Sequence, residues 1–97
     1  MPTYISLARY TQQGLGNIKE SPARIDAARK AFKRIGVTLK TFYSVSGAYD
    51  VILVCEADNG AAMAKAALLL GSHGNVRSET LHALTEVEFR KVVAGLP

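Results

Sequence analysis

An α+β architecture, β-α-β-β-α-β with one further helix at the end, is what this chain predicts. Three observations carry that prediction: a Ser-Pro pair opening an amphipathic helix, a glycine-centred connection between two β-rich runs, and a capping signal ahead of a short last helix. The 97 residues, 48% hydrophobic and 21% charged, fit one compact domain spanning 1–97.

The elements follow in order. Residues 3 to 10, Thr-Tyr-Ile-Ser-Leu-Ala-Arg-Tyr, alternate as a strand does, and the polar Thr11-Gln12-Gln13-Gly14 breaks it. Residues 17–20 have room for one short helical turn. Ser21 as N-cap with Pro22 at the first helical position opens a helix over 22–35, with Ile25, Ala28, Phe32 and Ile35 on one stripe and Gly36 as its stop. The run 37–46 is β-rich and sets Val37, Leu39, Thr41, Tyr43 and Val45 against Thr38, Lys40, Phe42 and Ser44.

Gly47-Ala48 then turns the chain into a strand over 49–57 that is apolar on both faces, as a central strand covered on two sides should be. Asp58 caps a helix over 59–70, closed by Gly71. Residues 75–84 form a fourth strand. Thr85 with Glu88 three residues on is a capping box for a helix over 86–94, ended by Gly95 and Pro97. Each half is strand, helix, strand, which is the split βαβ or ferredoxin-like plan. Right-handed crossovers place the first and third strands in the middle of a four-stranded antiparallel sheet.

Both long helices of this plan lie on one side of the sheet. Hydropathy assigns Ile5 and Leu7 to that side, with Leu81 and Ala83 from the fourth strand. The helix-free side then gathers Tyr10, Ser6, His82, Thr80 and Phe42, a half-polar surface that a second subunit would close into a cleft. The second long helix, with Ala61, Ala62, Met63, Ala64 and Ala66 through Leu70, carries Lys65 as its only charge. A helix apolar nearly all round wants cover, so a homodimer or larger homo-oligomer is expected.

Composition excludes several classes. No apolar run approaches the ~18 residues that span a bilayer, and Tyr4 and Arg9 interrupt the region a secretory signal would occupy, so a cytoplasmic, membrane-free protein is expected. The net charge of +4 is modest, and its basic cluster, Arg24, Arg29, Lys30, Lys33 and Arg34, lies on the outer face of a helix without interleaved aromatics. Nucleic acid is therefore not expected as a partner. Cys55 sits among Leu53 and Val54 as a small core residue. His73 and His82 have no carboxylate or cysteine pair at ligand spacing, so no metal is expected. No loop is patterned for a nucleotide or phosphate, so no cofactor is expected either.

The chain resembles the GYD-domain family of small bacterial proteins, related to the dimeric α/β-barrel folds, over nearly its whole length. The residues that carry the likeness are Ala8-Arg9-Tyr10-Thr11 with Gly14, Ser21-Pro22-Ala23-Arg24, Gly47-Ala48-Tyr49-Asp50, and Gly74-Asn75-Val76 followed by Thr80-Leu81. The resemblance implies a ferredoxin-like fold of the dimeric α/β-barrel type and homo-oligomers, and it implies no particular reaction.

Tyr49 and Asp50, adjacent on one strand, point to opposite faces. Asp50 can hold backbone amides of its turn while Tyr49 packs over a neighbour. With Tyr10, Arg9 and His82 they form the expected ligand-binding set. His82, the one member that titrates near neutral pH, is the candidate acid-base group. The leading functional expectation is a small-ligand binding or sensing module with its pocket between subunits. A cofactor-free oxygenase or isomerase using His82 is the second, and a structural or partner-binding subunit the third.

Overall fold

In the computed structural model, which describes residues 1–97, the chain begins with strand β1 (Thr3–Tyr10). A short helix α1 (Gln12–Gly16), a 3-10 turn (Ile18–Glu20) and helix α2 (Ser21–Arg34) follow. Then come β2 (Val37–Ser44), β3 (Val51–Ala57), α3 (Gly60–Ser72), β4 (Val76–Ala83) and α4 (Glu86–Ala94). The strands form one four-stranded antiparallel sheet in the order β2-β3-β1-β4, with β1 and β3 central as expected. No helix is long and apolar enough to cross a membrane.

Several element ends differ from the pattern reading. β2 stops at Ser44 and β3 starts at Val51, so Tyr49 and Asp50 lie in the connection between them rather than on the strand. Thr11–Gly14 is the start of a helix, because the Thr11 hydroxyl accepts the Gly14 N–H at 3.1 Å. The Thr11 N–H and hydroxyl also donate to the carbonyls of Asn75 and Gly74, at 3.0 and 2.6 Å, and this clamps α1 onto the loop before β4. Ser21 is the first residue of α2 rather than its cap, since the 3-10 turn runs straight into the helix. Asn59, not Asp58, caps α3 by accepting the Ala62 N–H at 2.9 Å, and that helix continues past Gly71 to Ser72. The capping box at Thr85 and Glu88 is present as read, and the Thr85 N–H holds the Glu88 carboxyl below its usual pKa.

The larger correction concerns which side of the sheet the helices cover. Tyr4, Ser6 and Ala8 of β1 are buried beneath them, while Ile5 and Leu7 lie half-buried on the open side. Directly opposed residues of antiparallel strands share a face. Ser6 stands opposite Leu53 and Thr80, Tyr4 opposite Cys55 and His82, and Tyr10 opposite Val76. Ser6, Tyr10, Thr80 and His82 are therefore on the helix-covered side, the reverse of the hydropathy assignment. Leu81 and Ala83, opposite Ile5 and Thr3, go to the open side. Because β3 is apolar on both faces, its pattern offers no preference between the two parities, and a shift of one residue exchanges every side chain. Ser6 and Ala8 add little apolar bulk to the covered side, where Phe32, Leu39, Leu53 and Met63 supply it instead, so the hydropathy of β1 alone does not register which face is buried.

A bulge between Leu39 and Thr41 completes the reversal on β2. It places Val37, Leu39 and Phe42 on the covered side although their numbering is out of phase, so Phe42 too leaves the open face. Lys40 turns outward and pairs with Glu56 at 3.5 Å. The core is then Phe32 from α2, Met63 and Ala66 from α3, and Tyr4, Ala8, Val37, Leu39, Val51, Leu53, Cys55 and Ala57 from the sheet.

Two consequences are measurable. A Cβ on Gly14 would lie 2.0 Å from the Asn75 carbonyl oxygen, whereas one on Gly16 meets nothing within 4 Å. Gly14→Ala should therefore cost about 2–3 kcal/mol in urea unfolding, and Gly16→Ala should be neutral or slightly stabilising. Burial pushes the Cys55 thiol up from 9.0 to about 11. A raised pKa means the folded chain keeps a proton that the unfolded chain loses. The contribution is intact below pH 9 and declines from there to about pH 11, by ~2–3 kcal/mol in all. Measured against Cys55→Ala, the wild-type stability curve should fall more steeply in that window alone.

Candidate functional site on the open sheet face

The connection from β2 to β3 builds the site. Gly47, at φ +120°, takes a conformation that a side chain would strain, and lets the loop turn back over the sheet. The Val45 N–H donates to the Asp50 carbonyl at 2.9 Å, and the Asp50 N–H donates to the Ala8 carbonyl at 2.9 Å. The Asp50 carboxylate accepts the Tyr10 N–H, also at 2.9 Å. Asp50 thus extends the β1–β3 ladder by one side chain beyond its last backbone pair. Its carboxylate stays in line with the strands, while Tyr49 is directed onto the open face, so the two do not converge.

On the open side Tyr49 joins three residues from β1 and β4. The Arg9 guanidinium carbon stands 4.7 Å from the centroid of the Tyr49 ring, a cation–π contact, and Arg9 Nε donates to the Ala48 carbonyl. The Tyr49 hydroxyl donates to Glu79 Oε2 at 3.2 Å. Arg77 is the direct cross-strand partner of Arg9. Neither arginine is in a salt bridge, so the cluster of two guanidiniums and one carboxylate carries a net positive charge. Leu7, Arg9, Tyr49, Arg77 and Glu79, with Tyr10 and Ser78 at its edge, line a shallow notch of about 460 Å³ at this end of the open face.

Of the five expected binding residues, Arg9 and Tyr49 are brought into contact. Tyr10 and Asp50 meet through the Tyr10 N–H, with the Tyr10 ring on the covered side. His82 stands apart, toward the other end of β1, its ring stacked on Tyr4 with centroids 5.2 Å apart. No hydrogen bond orients its imidazole. Arg77 and Glu79 escaped sequence reasoning because only the β1–β4 register places them beside Arg9.

Beyond the notch, the open face presents Ile5, Leu7, Ile52 and Val54 half-buried, with Tyr43 56% and Leu81 43% exposed. Helix α4 adds a second unpartnered surface. None of its residues is buried, and Val87, Phe89, Val92 and Val93 are all open to solvent.

Residues 4–93 match the GYD domain. The chain belongs to the GYD-domain family. This GYD-domain protein is 38% identical over 85 residues to the glutamine synthetase and cystathionine beta-lyase binding protein of Thermus thermophilus, covering 87% of this chain and 90% of that protein. It is also similar to the crystal structure of TTHA0845 from the same organism, with a TM-score of 0.58 and 25% identity, over 88% of this chain and 95% of the other. The likeness supports the ferredoxin-like arrangement of sheet and helices.

The bonds of Asp50 make it a strand anchor. Asp50→Ala removes the acceptor for a part-buried amide and should cost about 1–2 kcal/mol in chemical denaturation. Asp50→Asn, which keeps one acceptor oxygen, should recover at least half of that loss.

Proposed function

We propose that this chain is a homo-oligomeric binding protein that docks on enzymes. The observation that carries this reading is the open sheet face, an apolar centre of Ile5, Leu7, Ile52, Val54, Tyr43 and Leu81 with a charged rim of Arg9, Arg77 and Glu79. An apolar centre inside a polar, arginine-containing rim is the anatomy of a protein interface. Two copies meeting sheet to sheet would bury the apolar centre and give the dimeric α/β-barrel arrangement. The exposed apolar residues of α4 and the notch at Tyr49 would remain at the margin of the pair, where a third surface can reach them.

The relative named for binding glutamine synthetase and cystathionine beta-lyase supports enzymes as the partners. Docking of this kind needs no catalytic group in the binding protein. It needs a rigid aromatic anchor and a directional charge, which Tyr49 and Arg9 supply together. The assembly would work in the cytoplasm, a reducing setting in which the buried thiol of Cys55 persists.

Two measurements test the proposal. Sedimentation equilibrium should give a dimer or higher multiple, and Leu81→Glu should weaken self-association at least tenfold. A monomer at micromolar concentration overturns the oligomer. The purified protein should also co-sediment with glutamine synthetase or cystathionine beta-lyase of its own organism, and the double variant Arg9→Ala, Tyr49→Ala should weaken that complex at least tenfold. Absence of both complexes overturns the enzyme partners.

A further inference from the structure

The covered side of the sheet is not fully packed. Helices α2 and α3 stand apart over its centre, and between them lies a cavity of about 260 Å³. Its walls are apolar: Phe32 and Ala28 from α2, Leu39 and Phe42 from β2, Leu53 from β3 and Leu69 from α3. The gap exists because α2 presents Ala28 and Ala31 inward and β1 presents Ala8, where larger side chains would close it.

One end of this cavity differs from the rest. Tyr10 at the end of β1, Arg24 in the first turns of α2, and His73 and Asn75 from the loop into β4 converge there. All four can donate hydrogen bonds, and no carboxylate lines the cavity. Within the protein, Tyr10 and His73 engage through main-chain atoms, the Tyr10 N–H with Asp50 and the His73 carbonyl with Gln13. Neither the phenol nor the imidazole has a hydrogen-bond partner within the protein. Arg24 donates through one nitrogen to the Asn17 carbonyl at 2.8 Å. Glu20, 73% exposed, pairs with the same nitrogen at 3.9 Å, a hydrated surface ion pair that is weak and leaves the other guanidinium nitrogens free.

We infer that the cavity between α2 and α3 binds a small apolar carboxylate, its body between Phe32, Phe42 and Leu69 and its carboxylate held by Arg24, Tyr10 and His73. A cavity of ~150 Å³ takes benzene, and a water fills ~30 Å³ of liquid, so the larger volume here suits a ring with a short acidic arm, of about nine to twelve non-hydrogen atoms. The guanidinium favours an anionic head over a neutral one, through charge-assisted hydrogen bonds. This site goes beyond the docking reading and is separate from it, because the sheet lies between the cavity and the open face.

The experiment is a titration of the full chain with 3-phenylpropionate, and in parallel with 3-phenylpropanamide, followed by two-dimensional amide NMR. For a ligand of this size a dissociation constant of about 1 mM or tighter is expected, with the amide at least tenfold weaker. Shifts should centre on Ala28, Phe32, Leu69 and His73. Ala28→Leu and Ala31→Leu fill the void with a good helix former and should abolish the shifts while the chain stays folded. Arg24→Gln, on a partly exposed side chain, should leave residual binding but erase the preference for the acid, and it carries the test if a filled variant misfolds. No shifts with either compound at about 10 mM overturns the inference. So does equal affinity for acid and amide, or binding that survives the filled cavity.

Discussion

The register between β1 and β3 is the constraint on which the rest of this structure depends. It is set beyond the last backbone pair by Asp50, which gives its N–H to Ala8 and takes the N–H of Tyr10 on its carboxylate. A slip of one residue would send Tyr4, Ser6 and Ala8 to solvent and bring Ile5, Leu7 and Arg9 under the helices. The Arg9 charge would then be buried without a partner, which is several times worse than losing a hydrogen bond. A carboxylate at the end of an ambiguous central strand resolves what the apolar pattern leaves open.

That register divides the molecule into two chemically different halves. Beneath α2 and α3, small residues on β1 and α2 leave room, and aromatic and aliphatic residues line this half-open space. On the opposite side, branched residues on β1 and β3 make a flat apolar centre edged by Arg9, Arg77 and Glu79. The first arrangement underlies the inferred guest of about nine to twelve non-hydrogen atoms, and the second the proposed docking of another protein surface. Tyr49 and Asp50 sit where the halves meet: the first joins the open face, and the second holds the strand ends between them.

The terminal helix belongs to neither half. Its capping box makes α4 a locally sound helix, yet none of its residues is buried. A cap stabilises a helix by about a kilocalorie per mole, far less than burial of its apolar residues would. Val87, Phe89, Val92 and Val93 on α4 have no cover within the chain, and in this they resemble the apolar centre of the open sheet face.

Element order, strand order and the capping box of the last helix were legible in the residues, because periodicity and capping are local. Tyr49 and Asp50 do diverge, but both precede β3, so their different partners, Glu79 and the Tyr10 N–H, separate them and strand alternation does not. The choice of covered face was not. Hydropathy placed Ile5 and Leu7 inside, while the tertiary structure buried Ser6 and Ala8, since pairing with β3 and the Asp50 hydrogen bonds fix the face of β1 and its own apolarity does not. The bulge at Lys40 was equally invisible, because one extra residue changes phase without changing composition. Arg77 and Glu79 entered the site only through cross-strand alignment, a relation between positions far apart in the chain. Local physics in this sequence determined which elements form. Which faces they share was decided by packing and register, which no single segment contains.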